Sequence, residues 1–403
     1  MSRSAPDSPP GSVVLAAVLT AAMALPMLVL YSIGTLAPLI VADLGIGRSE
    51  LGSLTAVCFG VAAVLSVGAG QVVDRIGNRA AAATLFAVVA AVFSVLSISA
   101  GFTVLFAAVA ACGVAQALAN PATNKIIAQH VSPARRARMV GVKQSGVQVA
   151  ALVAVVLLVV ADMGTGWRAA LAAVVPVAIA AGVAALFLVP RQAVARRPFT
   201  LPPKPGRPLA WLMAYQLCLG VGLSAVATFV PLFAHEELGT SELIGALLLA
   251  GFAVAGIAAR IGWTSRAGGR ADLSGMLLGL SFGAAVFVGL LASAALLGAE
   301  STVALPLTWA AAIGIGATAV AANAVSMLAV VRDTDLGPVA PSSALVSAAF
   351  FGGFAVGAPA IGAIADTGGG FTGGWLVVAG VLTVGGSCAT GLRRARRRVV
   401  TTG

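Results

Sequence analysis

Amide side chains recur at helical spacing inside two long apolar stretches of the sequence. Gln116, Asn120 and Asn124 are four residues apart, and Gln144 and Gln148 repeat that spacing. Residues four apart share one face of an α-helix, so each set forms a polar line along its helix. Amides donate and accept hydrogen bonds, which suits binding of a polar solute. Further candidate solute contacts in apolar stretches are Tyr31, Thr35, Tyr215, Gln216 and Asn323.

Each of these residues has an alternative role in packing. Buried amides and hydroxyls also form hydrogen bonds between neighbouring helices, without any solute. The line of three amides favours binding for Gln116 and Asn120. Asn124 is closer to the end of its apolar stretch, where it could simply lie at an interface.

Groups that perform covalent or metal chemistry are sparse. The four cysteines form no C-x-x-C pair, and the two histidines stand alone in the sequence. An enzyme needs a cluster of acid, base, nucleophile or metal ligands. The sequence therefore predicts no enzymatic activity, no cofactor and no metal site.

A short charged segment, GQVVDRIGNRA, starts at Gly70 and separates two apolar stretches. It places Asp74, Arg75 and Arg79 close together. Glycine lacks a side chain, so Gly70 lets two helices approach closely and Gly77 permits a tight reversal. This pattern predicts a charged turn between two closely packed helices.

The apolar stretches that carry these residues predict an integral membrane protein. Hydrophobic residues make up 60% of the 403 residues and charged residues 9%. Runs of about 20 apolar residues are long enough to cross a bilayer as helices, whereas barrel strands are about ten residues long and alternate in polarity. Twelve spans are predicted, approximately 13 to 40, 51 to 73, 80 to 99, 102 to 128, 141 to 161, 168 to 189, 210 to 234, 242 to 263, 273 to 298, 302 to 331, 340 to 363 and 374 to 391.

The formal net charge of +11 would suggest nucleic-acid binding in a soluble protein, but the positions of the charges argue otherwise. If the N-terminus is cytoplasmic, 21 of the 24 Lys and Arg residues fall on inner segments. This follows the positive-inside rule. It predicts a multi-pass protein of the cytoplasmic membrane with both termini inside and no nucleic-acid partner.

The two halves of the sequence repeat each other around a basic segment. Residues 190–209 are rich in Pro, Arg and Lys and predict a cytoplasmic linker. Pro38, Ser49-Glu50-Leu51 and Asn120 recur in the same order as Pro231, Ser241-Glu242-Leu243 and Asn323. We therefore expect two related six-helix bundles, residues 1–189 and 210–391, followed by a basic tail, residues 392–403.

Together with the twelve spans, the repeated halves and the basic linker, the charged segment that starts at Gly70 resembles the signature loop between spans two and three of the major facilitator superfamily. A degenerate copy with Arg266, Gly268 and Arg270 lies between spans eight and nine, with Ser265 where the acid would be. The resemblance implies an all-α membrane fold of two pseudo-symmetric bundles, in which spans one, four, seven and ten line a central cavity.

The resemblance also implies a role for the loop. Its acid, Asp74 here, would latch onto the inner end of span eleven, which starts near Pro341 with the positive end of its dipole at the cytoplasmic side. Gly70, Asp74, Arg75, Gly77 and Arg79 are thus candidate latch residues. The alternative is a solvated turn. Ser265 leaves a symmetric second latch in doubt.

Three cations lie near the inner ends of spans four, five and eight. Lys125, Lys143 and Arg260 can extend to the lipid headgroups, as long basic side chains often do near helix ends. They are also candidate contacts for an anionic substrate, because no acidic residue lies deep in any span to neutralise them.

Acidic residues also bear on energy coupling. Proton-coupled transporters commonly use an embedded carboxylate, but eight acids lie at outer edges: Asp43, Glu50, Asp162, Glu236, Glu237, Glu242, Glu300 and Asp366. A proton or a counter-solute remains the candidate coupling partner. Span five lacks the Gly-Pro signature of the family's drug/proton antiporters.

We therefore expect a monomeric secondary transporter that moves a small solute, with an organic anion favoured, by alternating access. Multidrug or metabolite efflux is the alternative. A membrane receptor or sensor without transport is an alternative of another class.

Overall fold

The structure, a computed structural model, describes residues 10–46, 48–191, 204–365 and 370–402. These residues form helices and short connections, without a β-strand. The α-helices are α1 Pro10–Thr35, α2 Ala37–Leu44, α3 Arg48–Ser97, α4 Phe102–His130, α5 Pro133–Val160, α6 Gly166–Ala172, α7 Val174–Leu188, α8 Arg207–Glu236, α9 Glu242–Ala267, α10 Ser274–Leu297, α11 Ala304–Ile315, α12 Ala321–Arg332, α13 Val339–Ala365 and α14 Gly370–Thr402. Ala161–Thr165 and Gly316–Val320 are π-helical, and Thr334–Leu336 is a 3-10 turn.

The long helix α3 reverses direction at Gly77. This residue has φ 81° and ψ 161°, a backbone conformation that glycine adopts at little cost. Before the glycine, α3 runs parallel to α4, because Cys58 packs beside Gly113 and Asp74 pairs with Lys125. After it, α3 must run back, since a connection of four residues joins its end to the start of α4. The predicted reversal is thus present.

The number and length of the apolar helices agree with the expected all-helical membrane fold. Ten ranges within the described residues are long and apolar enough to cross a membrane. The two longest, residues 53–97 and 133–188, are interrupted by glycines with left-handed φ, namely Gly77 in the first and Gly164 and Gly166 in the second. Divided at these glycines, the ten ranges give twelve segments.

One face of the molecule carries a high density of arginine, and we call it the basic face. It is the face on which α4 ends and α5 begins, and it carries Arg79, Arg136, Arg270 and Arg332. The helix α14 ends there beside Asp272. The helix α1 begins there too, because Thr20 and Ala24 pack along α5 in parallel register.

The first half, residues 10–191, meets the second half, residues 204–402, through very close helix contacts toward the basic face. A Cβ atom on Gly70 of α3 would lie 2.5 Å from the Cα of Pro341 on α13. A Cβ atom on Gly141 of α5 would collide with the hydroxyl of Thr264 on α9 and lie 2.8 Å from the Arg260 carbonyl oxygen. Only glycine fits at such crossings, because any side chain would separate the helices.

The structure describes the ends of the two halves only in part. Residues 192–203, which form most of the predicted linker, lie outside the described residues, as does Asp366. The helix α8 begins at Arg207, inside the range predicted for the linker. The predicted basic tail continues α14 as a helix to Thr402.

Candidate functional site

A buried polar cluster lies where α4 and α5 pack together. Lys143 has no exposed surface, and its Nζ donates to Asn120 Oδ1 at 3.1 Å and to Thr123 Oγ1 at 2.7 Å. Gln144 Nε2 donates to the same Asn120 oxygen at 3.2 Å. These contacts hold the Lys143 side chain among neutral oxygens between α4 and α5.

The second half contributes a guanidinium to this cluster. Arg260 on α9 is 3% exposed, and its side chain donates to the backbone carbonyl of Gln144 and to Gln144 Oε1, the latter at 3.3 Å. Its Nε and the Oε1 of Gln148, one turn further along α5, are both buried without a hydrogen-bond partner. Unsatisfied buried polar atoms cost about 1–3 kcal/mol each, so they indicate a place for a missing polar partner.

The charge of this cluster is not compensated by acids. None of the ion pairs among the described residues involves Lys143 or Arg260. Neither side chain extends to the headgroups, so that alternative is wrong for both. Two buried cations in one hydrogen-bonded cluster are costly in an apolar protein. A bound anion would relieve that cost.

Lys125 differs from these two cations. Its Nζ pairs with Asp74 at the end of the first segment of α3. The expectation that no acid would neutralise Lys125 is therefore wrong, because the reversal of the chain at Gly77 brings the loop acid beside the end of α4. This pairing leaves Lys143 and Arg260 as the cations suited to an anion.

Two pairs of small polar side chains join α4 of the first half to α13 of the second half. Asn120 Nδ2 donates to Ser347 Oγ at 3.0 Å, and Asn124 Nδ2 donates to Ser343 Oγ at 2.9 Å. Asn124 is completely buried between α4 and α13, so it is not interfacial with the headgroups. The two serines and Thr123 were not predicted. Ser343 and Ser347 are four residues apart, which was the available signal.

Other predicted solute contacts lie around this cluster. Tyr31 on α1 is half-buried, and Thr35 is the last residue of α1. Gln116, one turn from Asn120, donates to Met27 Sδ at 3.1 Å. Met27 also belongs to α1, so Gln116 is used in packing within the first half in this conformation.

The predicted contacts of the second half are more dispersed. The Tyr215 hydroxyl donates to the Leu277 carbonyl at 2.9 Å, joining α8 to α10. Gln216 is completely buried, and neither polar atom of its amide has a partner. Asn323 is buried on α12. Lys143 and Arg260 form their hydrogen bonds with Asn120, Thr123 and Gln144 instead of with these three residues.

The charged loop meets three neighbours. Asp74 pairs with Lys125, Arg79 Nε donates to the Val189 carbonyl at 2.8 Å, and Gly70 packs on the start of α13. Arg75 is half-buried. The contact with α13 is thus made by the glycine, whereas the acid binds within its own half. A latch formed by Asp74 on α13 stays a prediction.

The second half has its own ion pairs at the basic face. Arg396 on α14 binds Asp333 at 2.7 Å, Asp335 at 3.0 Å and Asp272 at 3.4 Å, and Arg332 binds Asp333 at 2.7 Å. These acids lie outside the degenerate loop copy, which carries Ser265 instead. These ion pairs, which we call the Arg396 ion-pair cluster, join elements of the second half only.

Asp272 makes this cluster sensitive to acid. Burial opposes its charged form, but hydrogen bonds from the Ser274 N–H and hydroxyl, together with Arg396, outweigh burial and lower the pKa of Asp272. Stability from a lowered pKa is present above the ordinary Asp value of about 3.9 and is lost as pH falls below it. We therefore expect Asp272→Asn to lower Tm at neutral pH.

The difference in Tm between Asp272→Asn and the natural sequence should shrink below about pH 4. Thermal unfolding of the detergent-purified chain across pH measures this. Asp162→Asn is the control, because Asp162 is exposed at the opposite face. A difference that stays constant down to pH 3 would contradict the assignment.

Comparisons with known proteins agree with this architecture. The family model described as Major Facilitator Superfamily matches residues 19–335. The fold is similar to the crystal structure of the human organic anion transporter MFSD10 (TETRAN), with a TM-score of 0.74 and 15% sequence identity over 95% of this chain and 100% of that chain. At that identity the likeness concerns the fold alone. No curated protein sequence matches the chain.

Proposed function

Because the chain belongs to the major facilitator superfamily, a family of membrane transporters, we propose that it carries a small organic anion across the membrane by alternating access. The observation that carries the substrate class is the pair of buried cations, Lys143 and Arg260, without an acidic partner among the described residues. They come from different halves, and an anion between them would contact both.

The neighbouring groups suit a carboxylate or a similar anion. The free Nε of Arg260 can donate to one oxygen, and Lys143 can turn toward another. Gln148, with its unpartnered amide oxygen, offers an acceptor to a hydroxyl or amine elsewhere on the solute. Tyr31 and the amides of α4 and α5 complete the proposed binding residues. MFSD10, which is similar in fold, is described as an organic anion transporter, and this is compatible with the proposal.

The contacts between the halves support a conformation that is closed at the basic face. Gly70 on Pro341, Gly141 on Thr264 and Asn124 on Ser343 all lie between the polar cluster and that face. The positive-inside rule would make this the cytoplasmic face. Separation of these contacts, with closure at the other end, would then expose the anion to the cytoplasm.

We propose anion exchange as the coupling. When the transporter returns empty, the positive charges of Lys143 and Arg260 would be enclosed without an anion to balance them. This is costly in a low dielectric. A site that carries an anion avoids that cost, so return with a second anion is favoured over return empty. No embedded carboxylate is required for this cycle.

Flux into proteoliposomes tests the proposal. Radiolabelled benzoate and succinate are compared with glucose and with tetraphenylphosphonium, a hydrophobic cation. We expect uptake of at least one anion, accelerated several-fold when the vesicles are preloaded with the same unlabelled anion. Vesicles without protein are the control.

The other outcomes separate the alternatives. Transport of the cation alone would favour multidrug efflux. Binding of an anion without flux would favour a receptor or sensor. Anion uptake that preloading does not accelerate would retain the substrate class and overturn exchange.

A further inference from the structure

A second candidate binding site lies on the surface of the second half, between the start of α10 and the C-terminal part of α14. A cavity of about 250 Å³ opens there, bordered by Arg393, Arg394 and Arg397 and by the apolar side chains of Leu278 and Ala389. It is separate from the polar cluster between the halves. The proposed transport cycle does not use it.

The charge of this cavity is strongly positive. Three guanidinium groups border it, and the carboxylate of Asp272 lies 3.9 Å from Arg393. Asp272 is closer to Arg396, at 3.4 Å, and Arg396 also binds Asp333 and Asp335. Arg397 lies about one turn from both Arg393 and Arg394, so the three arginines line one side of the helix. An anionic group is the complementary occupant.

The position of the cavity indicates a lipid as the source of that anion. The apolar range of α14 ends at Arg397, so the arginines lie at its boundary with the polar headgroup region. Leu278 and Ala389 continue the cavity toward the hydrocarbon side, where acyl chains would pack. Basic pockets between membrane helices on the cytoplasmic side are typical sites for anionic headgroups.

We propose that this cavity binds the headgroup of an anionic phospholipid. The phosphate accepts hydrogen bonds from the arginines, of which guanidinium can form two in parallel. The lipid would tie the start of α10 to the end of α14, next to the ion-pair cluster of Arg396. The site is independent of the proposed substrate.

Native mass spectrometry and thermal unfolding of the full chain in detergent test this site. The probes are phosphatidylglycerol and phosphatidylcholine with identical acyl chains, and glycerol 3-phosphate as the headgroup anion alone. We expect one tightly held phosphatidylglycerol and a raised Tm, with neither effect from phosphatidylcholine. The triple variant R393Q/R394Q/R397Q should bind phosphatidylglycerol about 100-fold more weakly, since each basic residue near an anionic surface contributes about fivefold.

A matched variant removes the same charge from the same face elsewhere. Arg135, Arg138 and Arg191 are exposed in the first half, so R135Q/R138Q/R191Q should bind the lipid as the natural sequence does. If the arginine variant does not fold, Leu278→Trp fills the cavity without a change of charge and should weaken the same lipid.

Each remaining result contradicts the site. Equal weakening in the matched variant would show a general charge effect. Equal binding of phosphatidylcholine would show that the headgroup charge is irrelevant. Stabilisation by glycerol 3-phosphate at the same concentration would show a site for a free anion instead of a lipid.

Discussion

Lys143→Gln is expected to weaken binding of the transported anion by about 30-fold or more. Loss of one partner from a buried, hydrogen-bonded charge pair costs about 2–5 kcal/mol. Lys143 is completely buried and is not paired with any acid among the described residues, so its charge would act fully on a bound anion. The dissociation constant is measured by calorimetry on the purified chain with the anion that gives the highest flux.

Lys125→Gln provides the contrast for this measurement. Lys125 lies on the same helix as Asn120, but Asp74 already neutralises it. Removal of a partly exposed ion pair contributes little, so the affinity should change by less than about fivefold. A larger effect at position 125 than at position 143 would reverse our assignment of the two lysines.

A neutral analogue separates charge from structure. If Lys143 acts through the anionic group, the amide of the same anion should bind the natural sequence and Lys143→Gln equally well. The loss of binding free energy on Lys143→Gln is measured for each ligand, and the difference between the two losses is the coupling energy between Lys143 and the anionic group. A general disruption of the site would weaken both ligands and would not produce this difference. Equal loss of both ligands would show that Lys143 supports the cluster without contacting the anion. Asn120 and Thr123 would then be its main partners.

The fold was largely predictable from the sequence, because lipid leaves few alternatives. A chain in hydrocarbon must satisfy its backbone hydrogen bonds internally, so long apolar runs form helices. The reversal at Gly77 was predictable as well, since the charged loop needs a glycine there. The π-helical segments Ala161–Thr165 and Gly316–Val320 were not, because nothing in the local residue pattern distinguishes them from an ordinary helix.

The candidate site was predictable only along single helices. Helical spacing placed Asn120 and Gln144 on polar lines, and the structure brings their side chains together. Contacts across the halves depend on how each helix is rotated and how deep it sits, which spacing along one chain segment does not determine. The bond from Arg260 to Gln144 is of this kind. The pairing of Asp74 with Lys125 lies within the first half, but it depends on helix rotation and depth in the same way, and it changed the interpretation of that lysine.

Gly141→Val should reduce anion flux by about fivefold to 150-fold, because it should shift the equilibrium away from the conformation that is closed at the basic face. This prediction rests on the proposed alternating access. A side chain at position 141 would meet the Thr264 hydroxyl and the Arg260 carbonyl oxygen, and a backbone atom cannot move aside without displacing α9. Overpacking of this type costs about 1–3 kcal/mol, which depopulates the conformation closed at the basic face by that factor.

Spin labels on the basic face measure the equilibrium directly. Arg135 at the start of α5 and Ser265 near the end of α9 are exposed and belong to different halves. With cysteine labels at these two positions and the native cysteines replaced, Gly141→Val should increase the population with a long distance between them. Gly60→Val is the control, because nothing lies within 4 Å of a Cβ atom there.

Thr264→Ala decides whether the effect is local. In a Gly141→Ala background the Thr264 hydroxyl is the first atom that the new methyl group meets, so its removal should restore part of the short-distance population and part of the flux. The Arg260 carbonyl stays in place at 2.8 Å, so the rescue should be incomplete. An unchanged distance distribution in Gly141→Val would show that this crossing does not control closure. The contact of Gly70 with Pro341 would then be the main steric requirement for closing the basic face.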